Sequence, residues 1–321
     1  MTENHLFQLE QQFINRLAQK KLLPIEEMQP QEARQMLREL QNDGSATSDV
    51  SMQYVEVELD KGRKLPILLI SPQNTSVPLA MIYYVHGGGW VMGDEITHRK
   101  LLTTLAKSVP AVIALPLYTH APERQFPFLL DDLYKGLYFM ETHAAFYNIL
   151  HKNIVVMGDS AGGNMATILT FMAKERGFSP SICLQVLLYP VTAANFDSES
   201  YWQFYDGPWL TRAAMQWFWD MYLPDKEKRH HKEASPLQAL LEELSCLPPA
   251  LVITAENDVL CSEGEAYARR LDAAGVPVAS VRFNGTMHDF LMLNALHDTP
   301  ATQAAIALIV AQLRLFLYGV K

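Results

Sequence analysis

Four short stretches carry side chains that could act together. "GDSAGG" at 158–163 sets Ser160 among small residues directly after the apolar run Ile154, Val155, Val156, Met157. "HGGGW" at 86–90, "AENDVL" at 255–260 and "NGTMHDF" at 284–290 each follow an apolar run as well. A serine hydroxyl is a weak nucleophile at neutral pH unless a base takes its proton. Of the ten histidines, His288 is the best placed, in the loop after the last strand-like run, whereas the others sit mostly in polar surroundings or helical segments. An acid must orient that imidazole, and Asp258 follows the preceding strand-like run, with Glu256 and Asp289 as alternatives. The order Ser, Asp, His along the chain is the one expected when a strand-turn-helix elbow presents the serine. Glycines 87–89 bare their backbone N–H groups, and a helix opening at Ala161 leaves its first N–H groups free and partly positive. Both are suited to an oxygen that becomes negative during reaction. Taken alone, the glycine run is a turn and G-x-S-x-G is a common pattern; it is their combination at strand ends that points to nucleophilic acyl transfer.

The elements that must position these groups follow a regular rhythm. Strand-like runs at 54–59, 65–70, 81–85, 111–115, 153–157, 183–188, 250–254 and 278–283 alternate, after the first pair, with helical patterns near 97–108, 127–146, 161–176, 262–274 and 300–317. That alternation predicts an α/β fold with a mostly parallel sheet and helices on both faces. Residues 1–43 carry apolar positions at helical spacing (Leu6, Leu9, Phe13, Leu17, then Met36, Leu37, Leu40) and end in a polar, linker-like stretch, "NDGSATSD". One segment departs from the rhythm. Residues 195–232 are rich in aromatics, among them Trp202, Trp209, Trp217, Phe218, Trp219 and Tyr222, and read as an inserted helical piece that packs on the fold and could also shape an apolar pocket.

Composition removes several classes of function. With 321 residues, 49% apolar and 19% charged, the chain can bury a large core. A net charge of −9 disfavours a nucleic-acid partner, which needs clustered Lys and Arg. Three scattered cysteines, Cys183, Cys246 and Cys261, form neither a disulfide framework nor a metal spacing, so no metal is expected. The N-terminus has no secretion-signal pattern, and the apolar run 304–318 is interrupted by Gln312 and Arg314. The expectation is a cytoplasmic protein with no membrane partner, its C-terminal segment a docking helix.

With these residues in view, the chain from about residue 50 onward resembles the hormone-sensitive-lipase-like branch of the α/β-hydrolase carboxylesterases. The resemblance is carried by "HGGGW" at 86–90, "YTHAPERQFP" at 118–127, "GDSAGGNMA" at 158–166, "DGPWLTRAAMQWFWDMYL" at 206–223, "ASPL" at 234–237, "AENDVLCSEGEAYARRL" at 255–271 and "FNGTMHDF" at 283–290. It implies a cofactor-free serine esterase with cap helices at 1–50, a core at 51–194 and 233–321, and a cap insertion at 195–232. Carried over residue by residue, Ser160 is the nucleophile, His288 the base, Asp258 the orienting acid, and the N–H groups of Gly88, Gly89 and Ala161 the oxyanion hole. Trp90, Trp209 and Trp217 are expected to line the substrate pocket. The resemblance also raises a homodimer through the last strand and its flanking helix.

Three departures from the family pattern stand out. Val259 occupies a position that is usually proline, Asp289 one that is usually glycine, and Thr119-His120 replace Arg-Leu. The first would loosen a loop, the second sets a carboxylate beside the base, and the third is expected to alter surface packing only. The implied substrate is a small-molecule ester with a short or medium acyl chain. Lactones, carbamates or amides would use the same residues, and a ligand-binding receptor of the same fold, as in plant gibberellin receptors, would have lost the histidine that is present here.

Overall fold

The computed structural model describes residues 4–42, 44, 49–177 and 182–319. Of the linker-like stretch 42–49, positions 43 and 45–48 lie outside the described residues. Among the described residues, eight strands form one sheet: β1 (Val50–Glu58), β2 (Lys64–Pro72), β3 (Ala80–Val85), β4 (Ala111–Pro116), β5 (Ile154–Asp159), β6 (Ile182–Leu188), β7 (Ala250–Asn257) and β8 (Val278–Met287). Their spatial order is β1-β2-β4-β3-β5-β6-β7-β8. β2 runs antiparallel to both β1 and β4, and all other neighbours are parallel. β3, β4 and β5 are buried at every position, which is why they read as unbroken apolar runs. β8 extends four residues past its apolar run, to Met287, which pairs with Asn257 and delivers His288 to the rim of the sheet.

The helices are α1 (Gln8–Lys20), α2 (Pro30–Gln41), α3 (Arg99–Ser108), α4 (Phe128–Thr142), α5 (Ala161–Glu175), α6 (Glu199–Gln203), α7 (Arg212–Tyr222), α8 (Leu241–Leu244), α9 (Cys261–Ala273) and α10 (Pro300–Tyr318). The β3–α3–β4 connection moves toward one edge of the sheet and β4–α4–β5 and β5–α5–β6 toward the other, so the right-handed sense that such connections take sets α3, which touches α10, on one face and α4 and α5, likewise in contact, on the other. The helical pattern at 127–146 is divided: α4 stops at Thr142, and a separate 3-10 turn, Ala144–Tyr147, ends on left-handed Asn148 (φ 56°). α10 is long and apolar enough to cross a bilayer by length and composition. Here Ile306, Ile309, Leu313 and Leu317, at helical spacing, are buried and α10 lies against β5, β6, β8 and α3.

The N-terminal helices are fastened to the core. α2 buries Ala33, Leu37 and Gln41, one residue per turn along a single stripe. The Arg34 guanidinium forks onto Glu123 at 2.9 and 2.7 Å and also donates to the carbonyls of Val91 and Ala121. Gln41 Nε2 donates to the carbonyls of Thr97 and Met292 at 2.8 Å each, while its Oε1 accepts from the Asn294 N–H at 3.0 Å. These bonds reach the segments after β3, β4 and β8, so the helices are held over the C-terminal edge of the sheet, where the four chemistry-bearing stretches converge.

Candidate active site

Ser160 stands at the turn between β5 and α5 with φ 54° and ψ −121°, a conformation that costs roughly 1–3 kcal/mol for a residue with a Cβ. The surroundings enforce it: the Ser160 N–H donates to the Leu188 carbonyl at 2.9 Å, and its carbonyl accepts from Asn164 and Val191. A Cβ at Gly162 would overlap the Val85 carbonyl, and one at Gly158 would overlap the Gly162 backbone. The small residues of "GDSAGG" are therefore a packing requirement of the elbow.

His288 Nε2 lies 2.9 Å from Ser160 Oγ, and His288 Nδ1 lies 2.7 Å from Asp258 Oδ2. All three side chains are buried. The second carboxylate oxygen of Asp258 accepts the Leu260 N–H at 3.0 Å, which fixes the acid without the proline usual in that loop. The Tyr189 ring meets the imidazole edge-on at a centroid distance of 4.9 Å and limits its rotation. Of the alternative acids, Glu256 is turned away, accepting the Gly285 N–H at 2.7 Å. Asp289 approaches from the serine side: its Oδ1 is 3.5 Å from Nε2, and its Oδ2 accepts from Trp209 Nε1 at 2.9 Å. Burial disfavours the imidazolium of His288, but the carboxylates of Asp258 and Asp289 outweigh it and push the pKa up to about 9.

The glycine loop faces this line. Gly88 and Gly89 adopt φ 106° and 61°, and a Cβ on either would strike the Met92 backbone or the Phe218 ring. Ala161 is the first residue of α5, so its N–H has no acceptor within the helix. Beneath the loop lies a polar cluster that the motifs did not disclose. Asp159 Oδ1 accepts from the Gly87 N–H at 2.9 Å and from Tyr84 Oη at 2.8 Å, while Oδ2 is 3.1 Å from His98 Nε2. Asp159 was legible only as the unspecified residue before the serine, and His98 lies 61 residues away in the chain.

A cavity of about 420 Å³ opens onto Ser160 and His288. Its wall is mostly apolar, drawn from Leu17 and Ala18 of α1, Leu22 to Ile25, Met36 and Leu37 of α2, and Ala214, Met215 and Phe218 of α7, with Asp289 beside the serine. Trp209 lines it as expected, but Trp90 and Trp217 do not. Trp90 is fully buried behind the glycine loop, stacked on Tyr222 at 4.3 Å and against Trp219 at 4.8 Å. In α7 the positions that meet the cavity are 214, 215 and 218, one face of the helix, and Trp217 falls off that face. Phe218 takes its place. His120 is also more than surface packing: it is half-buried, with its ring edge-on to His86 at 5.6 Å. Among the described residues no group of three His, Cys, Asp or Glu is arranged to hold a metal ion.

Comparisons agree with this architecture. Residues 82–292 match the model of a family described as having the alpha/beta hydrolase fold. The solved structure of a thermostable esterase from Pseudomonas putida ECU1011 superposes with a TM-score of 0.94 at 40% identity, covering 97% of this chain and 98% of that one. An esterase of Gibberella moniliformis is 38% identical over 89% of this chain and 90% of its own length. The carboxylesterase NlhH of Mycobacterium tuberculosis is 32% identical over 77% of each chain. The chain belongs to the α/β-hydrolase fold family, in the branch that its glycine-loop and serine-elbow motifs resemble.

Proposed function

We propose that this protein is a serine carboxylesterase acting on small esters with short to medium acyl chains, with Ser160 as nucleophile, His288 as general base and acid, and Asp258 as the group that orients and balances the imidazole. The observation that carries this reading is the hydrogen-bonded line Asp258–His288–Ser160 at the floor of an apolar cavity. His288 Nε2 accepts the Ser160 proton as Oγ attacks the ester carbonyl, and Asp258 stabilises the imidazolium that forms. The carbonyl oxygen turns negative facing the N–H groups of Gly88, Gly89 and Ala161, each such donor being worth about 10²- to 10³-fold in kcat. Nε2 then returns the proton to the leaving alkoxide, and water repeats the sequence on the acyl-enzyme. Every step uses groups of the chain and water.

The acyl-length range follows from the cavity. Its volume, about 420 Å³, lies at the lower end of small-molecule sites, and its wall is apolar, so it suits a chain of a few methylenes better than a long one. The relatives, two esterases and a carboxylesterase, support the reaction class. Cys183, Cys246 and Cys261 are all free thiols, which supports a reducing compartment, the cytoplasm. The test is hydrolysis of p-nitrophenyl esters from acetate to palmitate by the wild type and by Ser160→Ala. Turnover that peaks at short or medium chains and falls by about 10⁶-fold in the variant is expected; turnover that survives the substitution overturns the reading.

A further inference from the structure

We infer that His98 and Asp159 form a buried positioning pair for the oxyanion loop, in which the Asp159 carboxylate anchors the Gly87 N–H and His98 cancels the charge that this anchor would otherwise place beside the reacting oxygen. The inference rests on the esterase reading above. Asp159 precedes the nucleophile in the chain, and the residue whose N–H it holds precedes Gly88 and Gly89. A single carboxylate thereby ties the two halves of the anion cradle together. Both of its oxygens are engaged: Oδ1 takes Gly87 N–H and the Tyr84 hydroxyl, and Oδ2 takes His98. A Cβ on Gly87 would overlap that carboxylate, so loop and anchor are fitted to each other.

The charge is the difficulty such an anchor creates. Asp159 is fully buried, and an unpaired carboxylate so placed would repel the tetrahedral oxyanion. His98, equally buried, answers it. The Thr97 hydroxyl accepts from the Asp94 N–H at 2.8 Å and donates to the Asp94 carbonyl at 2.9 Å, leaving a lone pair for the His98 Nδ1–H 2.9 Å away. With the Thr97 proton on the Asp94 carbonyl and Nε2–H on Asp159, we assign both ring nitrogens as donors, which makes the ring an imidazolium. Burial opposes that charge, but Asp159 outweighs it and holds the His98 pKa above its ordinary value. Burial likewise acts against the Asp159 carboxylate, and His98 outweighs it to hold that pKa low.

The other groups around the pair are accounted for. His86, whose ring centroid is 5.4 Å from that of His98, is pushed by burial down to about 3 and is neutral. His120 is pushed by burial down to about 4. Tyr84, Tyr118 and Tyr189 are held as neutral phenols by burial. Burial acts against the Asp94 carboxylate, but the Thr97 N–H that it accepts and the neighbouring Arg38 outweigh this and hold its pKa low. Asp289 reaches the pair only through space, from the histidine loop.

The experiment is a charge cycle on the full-length protein, with p-nitrophenyl butyrate as substrate. His98→Asn leaves Asp159 unpaired. Its kcat is expected to fall about 10- to 100-fold with KM nearly unchanged, on the scale of one unscreened charge within the site. The same uncompensated negative charge favours the His288 imidazolium, so the acidic limb of the pH profile of kcat/KM is expected to move to higher pH. Adding Asp159→Asn removes the offending charge, and the double variant is expected to recover kcat about tenfold over His98→Asn and to return the limb to its wild-type position. A merely structural role predicts a double variant no better than the single one; that result, or an unmoved limb in His98→Asn, overturns the inference. Should His98→Asn fail to fold, Asp159→Asn and Asp159→Ala decide: the amide keeps an acceptor for Gly87, so it is expected to retain about tenfold more kcat than the alanine, and equal losses overturn the anchor. Absence of wild-type ester turnover, or turnover surviving Ser160→Ala, would instead mark failure of the esterase reading itself.

Discussion

Replacing Asp289 by asparagine isolates one electrostatic element of the site. The amide is nearly isosteric and its oxygen can still accept from Trp209 Nε1, so the tie to the loop before α7 is kept while the charge is removed. In the wild type the Asp289 carboxylate stands 3.5 Å from His288 Nε2. Two full charges at that separation interact by ~5 kcal/mol at an effective dielectric constant of 20. Burial raises the pKa of Asp289 itself, so the carboxyl exerts only part of that effect. A change in the His288 pKa of about one to two pH units is expected, each unit corresponding to about 1.4 kcal/mol. The sign follows from the role of the base. His288 must be neutral to accept the serine proton, and its pKa is pushed up to about 9, so wild-type kcat/KM is expected to rise with pH toward that value. Loss of a neighbouring negative charge destabilises the imidazolium, and in Asp289→Asn the acidic limb moves to lower pH. Initial rates of p-nitrophenyl butyrate hydrolysis at subsaturating substrate, taken across the pH range in which the protein is stable, read this limb directly. A limb that stays in place, or moves upward, would refute the electrostatic account of the histidine.

Three further outcomes follow from the packing. Met215→Trp fills part of the cavity wall and is expected to exclude about two methylenes of the acyl chain, at ~0.8 kcal/mol each, lowering kcat/KM for octanoate relative to acetate by about 15-fold; an unchanged chain-length profile would mean that the acyl chain does not lie along α7. Gln41→Ala strands the buried carbonyls of Thr97 and Met292 and the N–H of Asn294, and is expected to cost about 2–4 kcal/mol in denaturant unfolding, whereas a loss near zero would show that α2 is held chiefly by its apolar stripe. Gly162→Ala drives a methyl group into the Val85 carbonyl and is expected to lower the melting temperature and abolish turnover together, while a stable, active variant would contradict the packing account of the elbow.

What the amino-acid sequence disclosed, and what it withheld, divides along physical lines. Buried parallel strands such as β3 and β5 have to be continuous apolar runs, so the sheet and the loops at its C-terminal edge were legible, and Ser160, Asp258 and His288 lie on those loops. The elbow was legible because steric crowding restricts residue types at 158 and 162. Pocket residues were harder, because aromatic content alone does not reveal which side of a helix faces a cavity: Trp217 and Phe218 are adjacent in sequence and take different environments, and Trp90 turns from the glycine loop into an aromatic stack. Polar contacts across long separations left no local signal. Arg34 with Glu123 and His98 with Asp159 are pairs that only the folded chain creates.

The nucleophile is tested most directly by trapping it. The protein would be treated with diethyl p-nitrophenyl phosphate, which transfers a phosphoryl group to an activated serine and leaves an adduct that hydrolyses slowly, and then weighed intact and mapped by peptide mass spectrometry. One adduct per chain, on the peptide containing Ser160 and absent when His288 is replaced by alanine, is the predicted result. An adduct on another residue, or labelling of Ser160 that is indifferent to His288, would contradict the proposal that the line from Asp258 through His288 activates this serine.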